Sequence, residues 1–469
     1  MSALQWGGRF AGAPDPELLA FGSSLREDLL LAPFDVECSL AHVAALEGGG
    51  IIDAAAASAL RTALERVRGE IVDGTFERFA TGGGFEDVHG AIDARVREIA
   101  GEAGESLHAG RSRNDQVATT LLLYVRDRAR RCAARARRIA TAFVASAEKE
   151  LEAETVIAGA THRQPAQPVL LAFVLAAWSE PFVRASSRCL DVAAQASDAC
   201  PLGSAALAGS SLPLEREAAA RALQFARPSR NALDAIGNRD AALDLAHACM
   251  RVLVDASRIC EELIAWSAPA YGYVRLGDAA ATGSSLMPQK RNPDPFELVR
   301  AHAAMAIGTY TGVLTTLCGL APSYQRDLQV TKQQVLALIE DAPATLNAFE
   351  RAIESVTYDR ARMNDRALDG YTVATDVADA LIARGVSARA AHAAVGAAIA
   401  AAEPLRGALD AGDLQRIADG LGLPSLDAPL DAPSSVRAKR TSGSTGPASV
   451  RSQLDELRAE LADMERGSQ

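Results

Sequence analysis

Apolar residues recur along this chain at alternating spacings of three and four over long uninterrupted stretches, a period that belongs to helices. The clearest case is Leu245, Cys249, Val252, Ala256, Ile259, Leu263 and Trp266, a heptad seam down one helix face. Leu253, Cys260 and Ile264 widen the stripe beyond a narrow two-helix contact, so this segment is expected inside a bundle, which a second copy of the chain could share. Residues 115–152 form one Ala/Arg/Leu-rich stretch without Gly or Pro, and long stretches follow at 169–198, 230–267, 296–320 and 327–356. Five long helices are predicted. Before them, short helical patterns alternate with glycine clusters at Gly48-Gly49-Gly50 and Gly82-Gly83-Gly84, which predicts a compact region with several loops. Beyond residue 362 the patterns shorten, with a loop-like tract at 420–447 and a charged helix at 450–466. The expected division is a mainly helical domain at 1–112, a central five-helix bundle at 113–362, and a small helical domain at 363–469.

Composition supports helices over sheets, because 49% of the 469 residues are hydrophobic while only 5% are aromatic, and alanine is abundant. The expected fold class is all-α. A formal net charge of −11 argues against nucleic acid or an anionic membrane as partner, since both call for a basic footprint. Seven widely spread cysteines without a C-x-x-C pair are expected to be reduced, buried small residues. No basic, apolar leader opens the chain and no uninterrupted apolar run reaches membrane-spanning length, so a cytoplasmic enzyme or binding protein is expected.

Against that acidic background, locally basic polar segments point to a small anionic ligand. The richest is Gly283-Ser284-Ser285-Leu286-Met287-Pro288-Gln289-Lys290-Arg291-Asn292-Pro293-Asp294. Its glycine permits unusual backbone angles and its prolines interrupt any helix, so it is expected to be a mobile loop. Lys290 and Arg291 supply charge and Asn292 an amide, while the serines have no adjacent histidine and need activation by loop electrostatics or by groups distant in sequence. A solvated linker is the plain alternative. A second segment, Gly110-Arg111-Ser112-Arg113-Asn114-Asp115-Gln116-Val117-Ala118-Thr119, sets Arg113 and Asn114 where free N–H groups at a helix start can help hold a carboxylate or phosphate; an ordinary N-cap with solvated arginines would look the same. In the third, Thr161-His162-Arg163-Gln164-Pro165-Ala166-Gln167-Pro168, a histidine stands beside a hydroxyl just before a long helix, suited to proton transfer, or simply satisfied by a carbonyl. The fourth, around Tyr324, brings Gln329 and Lys332 one turn apart on one helix face.

Phosphate-loop, dinucleotide and nucleophile-elbow patterns are absent, which leaves nucleotide hydrolysis, Rossmann redox chemistry and serine-hydrolase chemistry without support. Glu86-x-x-His89 and Glu105-x-x-His108 match the spacing of di-iron bundles, but both precede the long helices and the second runs straight into Ala109-Gly110. A di-iron carboxylate protein is therefore the lesser alternative, and no metal is expected.

Together these segments resemble the fumarase/aspartase superfamily, and within it the argininosuccinate lyase family. The loop at 283–293 is similar to the signature G-S-S-x-M-P-x-K-x-N-P, and 110–119 is similar to the family form G-R-S-R-N-D-Q-V-A-T. The resemblance extends from Trp6-Gly7-Gly8-Arg9-Phe10, through Pro201-Leu202-Gly203-Ser204, to Thr375-Asp376. It implies an all-helical homotetramer with a twenty-helix core, active sites shared between subunits, no cofactor, and β-elimination of argininosuccinate to arginine and fumarate. By position it implies Ser284 and His162 as the acid–base pair, with Glu297 orienting the histidine. Ser24, Arg113, Asn114, Thr161, Lys290, Asn292, Tyr324, Gln329 and Lys332 fall where the family binds substrate. Gly22, Ala160, Arg163, Pro165, Ala232 and Asn238 depart from the usual residues and bear on the amine side of the substrate, so another N-substituted aspartate is the alternative.

Overall fold

In the computed structural model, residues 15–403 and 407–467 are described. The Trp6-Gly7-Gly8-Arg9-Phe10 motif lies outside them. Short helices α1 (Pro16–Phe21) and α2 (Leu25–Asp28) lead into α3 (Ala32–Gly48), α4 (Ala54–Val72), α5 (Thr75–Gly82) and α6 (Val88–Ala100). The five long helices are α7 (Arg113–Glu152), α8 (Leu171–Gln195), α11 (Asp240–Ser267), α12 (Asp294–Leu317) and α13 (Asp327–Glu354), with α9 (Arg216–Ala222) and α10 (Ala232–Gly237) intervening. After them come α14 (Arg360–Asp365), α15 (Ala374–Ala383), α16 (Ala388–Ala402), α17 (Ala411–Gly420), α18 (Ala432–Ala438) and α19 (Pro447–Gly467).

The all-α expectation and the long helices hold, with local corrections. The stretch read as one helix over 230–267 breaks at Asn238, whose extended backbone ends α10 two residues before α11 starts. The tract at 420–447 is not all loop, because Asp431 caps α18 by accepting from Ser434 N at 2.7 Å. Strands occur only as short pairs among the described residues. Strand β1 (Val156–Thr161) pairs antiparallel with β2 (Gln164–Leu170), while β3 (Ala199–Cys200) with β4 (Arg227–Pro228) and β5 (Val274–Arg275) with β6 (Thr357–Tyr358) are two-residue ladders.

The chain forms two compact units, each discontinuous in sequence. The first comprises Met1–Ala133, Arg188–Arg251 and Ala303–Ala344, and the second Ala134–Ser187, Val252–His302 and Thr345–Gln469. In the first, α3 packs on α4, α6 and α9. By length and mean hydropathy, 1.5 over its best window, the segment 16–48 is apolar enough to cross a membrane, although Asp35 and Glu37 leave no uninterrupted apolar run of that length. Most of that window is buried inside the fold, and Asp35 lies within it on a buried polar network. His89 Nδ1, Gln116 Nε2 and Thr120 Oγ1 donate to Asp35 Oδ1 at 2.9, 2.7 and 3.3 Å. Burial opposes its charge, yet His89 and Arg111 hold the Asp35 carboxyl well below the usual range. This network joins α3, α6 and α7, and so sets the start of α6 against the start of α7.

The second unit is organised by aromatic packing. Phe143 lies 5.8 Å from Trp178 and 6.2 Å from Phe349, while Phe182 stacks on Phe349 at 5.8 Å. Phe296 meets Phe349 edge-on at 6.4 Å, which anchors the first turn of α12 where the 283–294 loop ends. The heptad seam of α11 is buried from Leu245 to Trp266, as its pattern predicts. Among the cysteines, Cys318 is the correction: it is exposed, whereas the other six are buried and free. Near the C-terminus, Asp376 accepts from Ser435 Oγ and Lys439 Nζ, each at 2.6 Å, and so ties α15 to the α18 region.

Candidate active site

In the first unit, six of the residues singled out from sequence line one cavity of about 310 Å³: Ser24, Arg113, Asn114, Tyr324, Gln329 and Lys332. Ser24 precedes α2, and its Oγ donates to Asp28 Oδ2 at 2.6 Å, one helical turn later. Lys332 Nζ approaches the other oxygen, Asp28 Oδ1, at 2.6 Å. With its proton committed, the Ser24 hydroxyl has lone pairs to offer a ligand, and Ser24 N–H is already given to Glu86 O at 2.9 Å. Arg113 opens α7 and lies 3.1 Å from Asp87, which caps α6 through Gly90 N at 2.7 Å. Burial raises the cost of charge on Asp87, but Arg113, His89 and Lys332 together keep its carboxyl below the ordinary range.

Behind Arg113 and Asn114 stands Asp115, which accepts from Ser112 N at 3.0 Å, Gly203 N at 2.9 Å and Ala205 N at 2.8 Å. Burial nonetheless pushes its carboxyl up to about 6. Ala205 has a left-handed φ of 52°, a conformation these bonds help to hold. Asn114 Nδ2 then donates to Ala206 O at 2.9 Å, so the Pro201-Leu202-Gly203-Ser204 motif is fastened to the start of α7.

The cavity also contains residues that sequence reasoning did not assign to it, namely Glu86, Asp87, Arg239 and Arg326. Arg239 is half-buried, its Nη1 donates to Ile236 O and Asn238 O at 3.1 and 2.7 Å, and its inaccessible Nε has no hydrogen-bond partner. Burial lowers its guanidinium to about 10, and an unpaired donor on so costly a charge is suited to an anionic ligand. Arg326 pairs with Glu86 and donates to Gly22 O at 2.6 Å, while Gln329 Nε2 donates to the same carbonyl at 2.7 Å. A Cβ at Gly22 would come within 3.0 Å of Arg326 Nη2, so glycine at this departure position makes room for the guanidinium. Glu86 had been weighed only for its Glu-x-x-His spacing, and Asp87 carried no sequence signal beyond that of a helix-start carboxylate.

The second unit holds the remaining candidates. His162 and Arg163 form the two-residue turn between β1 and β2, with Thr161 paired to Gln164, rather than a loop directly before the helix. Both have left-handed backbones, φ 53° and 58°, as a type I′ hairpin turn demands, although neither is the glycine or asparagine such turns prefer. Thr161 and His162 are exposed there. The loop is closed at its neck by Thr282 and Asn292, which exchange backbone bonds of 3.2 and 2.8 Å. Asn292 Nδ2 also reaches Thr282 Oγ1 and Gly283 O at 3.3 Å each, so this amide is spent on the neck. Arg291 is likewise structural, 2.7 Å from Asp278 and donating to Leu276 O at 2.9 Å, whereas Lys290 is exposed.

Inside the loop, Ser284 Oγ accepts from Leu286 N at 3.3 Å and Met287 N at 3.1 Å. Two N–H dipoles aimed at one hydroxyl oxygen favour negative charge there. Glu297 is exposed in the first turn of α12 and no hydrogen bond joins it to His162 within the chain. Among the described residues no group of three or more His, Cys, Asp or Glu side chains is placed to hold a metal ion. Glu86 and His89 are engaged with Arg326 and Asp35 instead.

Residues 8–308 match the family model described as lyase, and residues 371–437 match the one described as argininosuccinate lyase C-terminal. The argininosuccinate lyase of Mycolicibacterium paratuberculosis is 40% identical over 461 residues, covering 97% of this chain and 96% of that protein. That of Halorhodospira halophila is 38% identical, with 97% of each chain covered. Among solved structures, an EDDS lyase variant with bound fumarate is 26% identical, covers 98% of this chain and 92% of its own, and superposes with a TM-score of 0.82. A class II fumarase from Schistosoma mansoni shares the fold at 16% identity and a TM-score of 0.69, covering 89% of this chain and 93% of its own.

Proposed function

The chain belongs to the argininosuccinate lyases of the fumarase/aspartase superfamily, and on that footing we propose that it cleaves argininosuccinate reversibly to arginine and fumarate, as the last step of arginine biosynthesis. The observation that carries the reading is Ser284, whose Oγ receives the Leu286 and Met287 amides at the head of the loop. Having released its own proton to solvent before the loop closes, the Ser284 alkoxide takes the proton from the carbon beside the substrate carboxylate. The C–N bond then breaks, the electron pair leaves on the arginine nitrogen, and His162, oriented by Glu297, handles the proton that nitrogen gains. Stabilising the doubly charged carboxylate that develops is the main task, and Lys290 and the unpaired Arg239 Nε are suited to it, while Arg113 and Lys332, paired with Asp87 and Asp28, line the binding cavity. Ser24, Asn114, Thr161, Tyr324 and Gln329 complete the binding residues in this reading, while Asn292 closes the loop neck. No cofactor is called upon.

A cytoplasmic homotetramer is part of the proposal, with sites completed by motifs from more than one chain around a twenty-helix core, and with residues 113–362 as its bundle domain. One face of α12 supports association: Leu298 and Met305 are 60% and 67% exposed at heptad spacing, with Ala301 and Gly308 also exposed between and beyond them. A second substrate reading rests on the EDDS lyase likeness, since this chain departs from its family at Gly22, Arg163 and Asn238. Fumarate release from argininosuccinate, measured beside adenylosuccinate and ethylenediamine-disuccinate, tests the choice. Activity on either alternative without activity on argininosuccinate overturns it.

A further inference from the structure

The turn that presents His162 is made of the wrong residues for its shape. A two-residue turn with φ above zero at both positions is ordinarily Asn-Gly, and two non-glycine residues there store strain that the surroundings have to balance. On one side Pro165 packs against Gly370, where a Cβ would come within 3.0 Å of it. On the other, Arg163 Nη2 lies 2.5 Å from Glu261 Oε1 on α11, and Glu261 Oε2 pairs with Arg300 of α12. Arg300 stands three residues beyond Glu297, one helical turn along the same face. One carboxylate thus joins the hairpin tip to the helix that carries Glu297. The two guanidinium groups hold the Glu261 carboxyl below its ordinary range, so the bridge persists through neutral and mildly acidic pH.

We propose that Glu261 is a positioning residue: by bridging Arg163 and Arg300 it holds the His162 turn in its left-handed conformation and in register with α12. This rests on the reading of His162 as a group used in turnover. Both Glu261 and Arg163 remain partly exposed, so the bridge does its work through geometry more than through stability. Electrostatic screening should therefore weaken it.

Glu261→Gln in the full-length enzyme is expected to lower kcat about fivefold, the order that two surface charge pairs supply together, with KM within about twofold of wild type. Arg163→Gly puts the preferred residue at the second turn position and makes the bridge dispensable. The double variant E261Q/R163G is accordingly expected to recover to within about twofold of R163G alone, a rescue that loss of a merely structural contact would not show. Raising salt to about 0.5 M should lower wild-type kcat towards that of E261Q and leave E261Q little changed. Wild-type kcat in E261Q, or a double variant as slow as E261Q, overturns the proposal. His162→Asn is measured alongside: near-normal turnover there fails the reading of His162 itself, and amide exchange at 161–164, faster in E261Q if the clamp exists, tells that failure from failure of the clamp.

Discussion

Replacing Asp28 by asparagine removes one charge from a pair that is almost fully out of water, with Asp28 and Lys332 side chains 0% and 6% exposed. At their 2.6 Å separation the gross attraction is about 6 kcal/mol with an effective dielectric constant near 20. Most of that is offset by the desolvation of both ions, so the informative quantity is what remains when only one is removed. An ammonium left unpaired at a buried site costs about 3–5 kcal/mol. Asparagine keeps the shape and can still accept from Ser24 Oγ, which places Asp28→Asn at the low end, about 3 kcal/mol or roughly 150-fold in the folding equilibrium. Urea unfolding followed by helical circular dichroism reads this loss, with the midpoint shift converted through an unchanged slope. The double variant D28N/K332M, which leaves no buried charge, should regain at least half of it. A loss below about 1 kcal/mol in D28N, or a double variant as unstable as the sum of its singles, would refute the claim that this pair is a coupled buried unit.

Ser284→Ala and His162→Asn should each lower fumarate release by about 100-fold or more while leaving the helical content unchanged, and near-normal rates in either would remove it from the mechanism. Mixing these two inactive variants, after dissociation and reassembly, should restore part of the activity if chains complete one another's sites; no recovery counts against sharing. Arg239→Gln should raise KM for the dicarboxylate substrate about tenfold or more, checked by initial rates, because the donor it loses is the unpaired Nε. Asp115 has a folded pKa of about 6 against about 3.9 unfolded, so its contribution to stability is full below the unfolded value and is lost as pH rises through 6, about 2–3 kcal/mol in all. Stability profiles of wild type and D115N should diverge between pH 4 and 6.5, and parallel profiles would show that burial does not raise this carboxyl.

Apart from the break at Asn238, the long helices were legible because they depend on local terms. An alanine-rich heptad such as 245–266 can bury its stripe only as a helix, and every residue of that seam is buried. The loop at 283–294 was equally plain, since proline and glycine act on their own backbone. Less legible were features set by partners far along the chain. Nothing local to Thr161-His162-Arg163-Gln164 announces a type I′ turn, because its residues disfavour one; Glu261, about a hundred positions away, helps to hold it. Asn292 read as a substrate donor from its motif, yet its amide closes the loop neck in this conformation.

The sequence by itself therefore determined the helical class, the long helices and the chemical types assembled for an acid–base reaction on an anionic substrate, because periodicity, backbone restriction and side-chain functional groups are written residue by residue. Only the tertiary structure decided which charges are spent and which remain available. Lys332 is taken by Asp28, Arg113 faces Asp87 and Arg326 faces Glu86, while the Nε of Arg239 is left without a partner. Pairing of this kind is governed by distance and burial between groups remote in sequence, and neither quantity exists until the chain has folded.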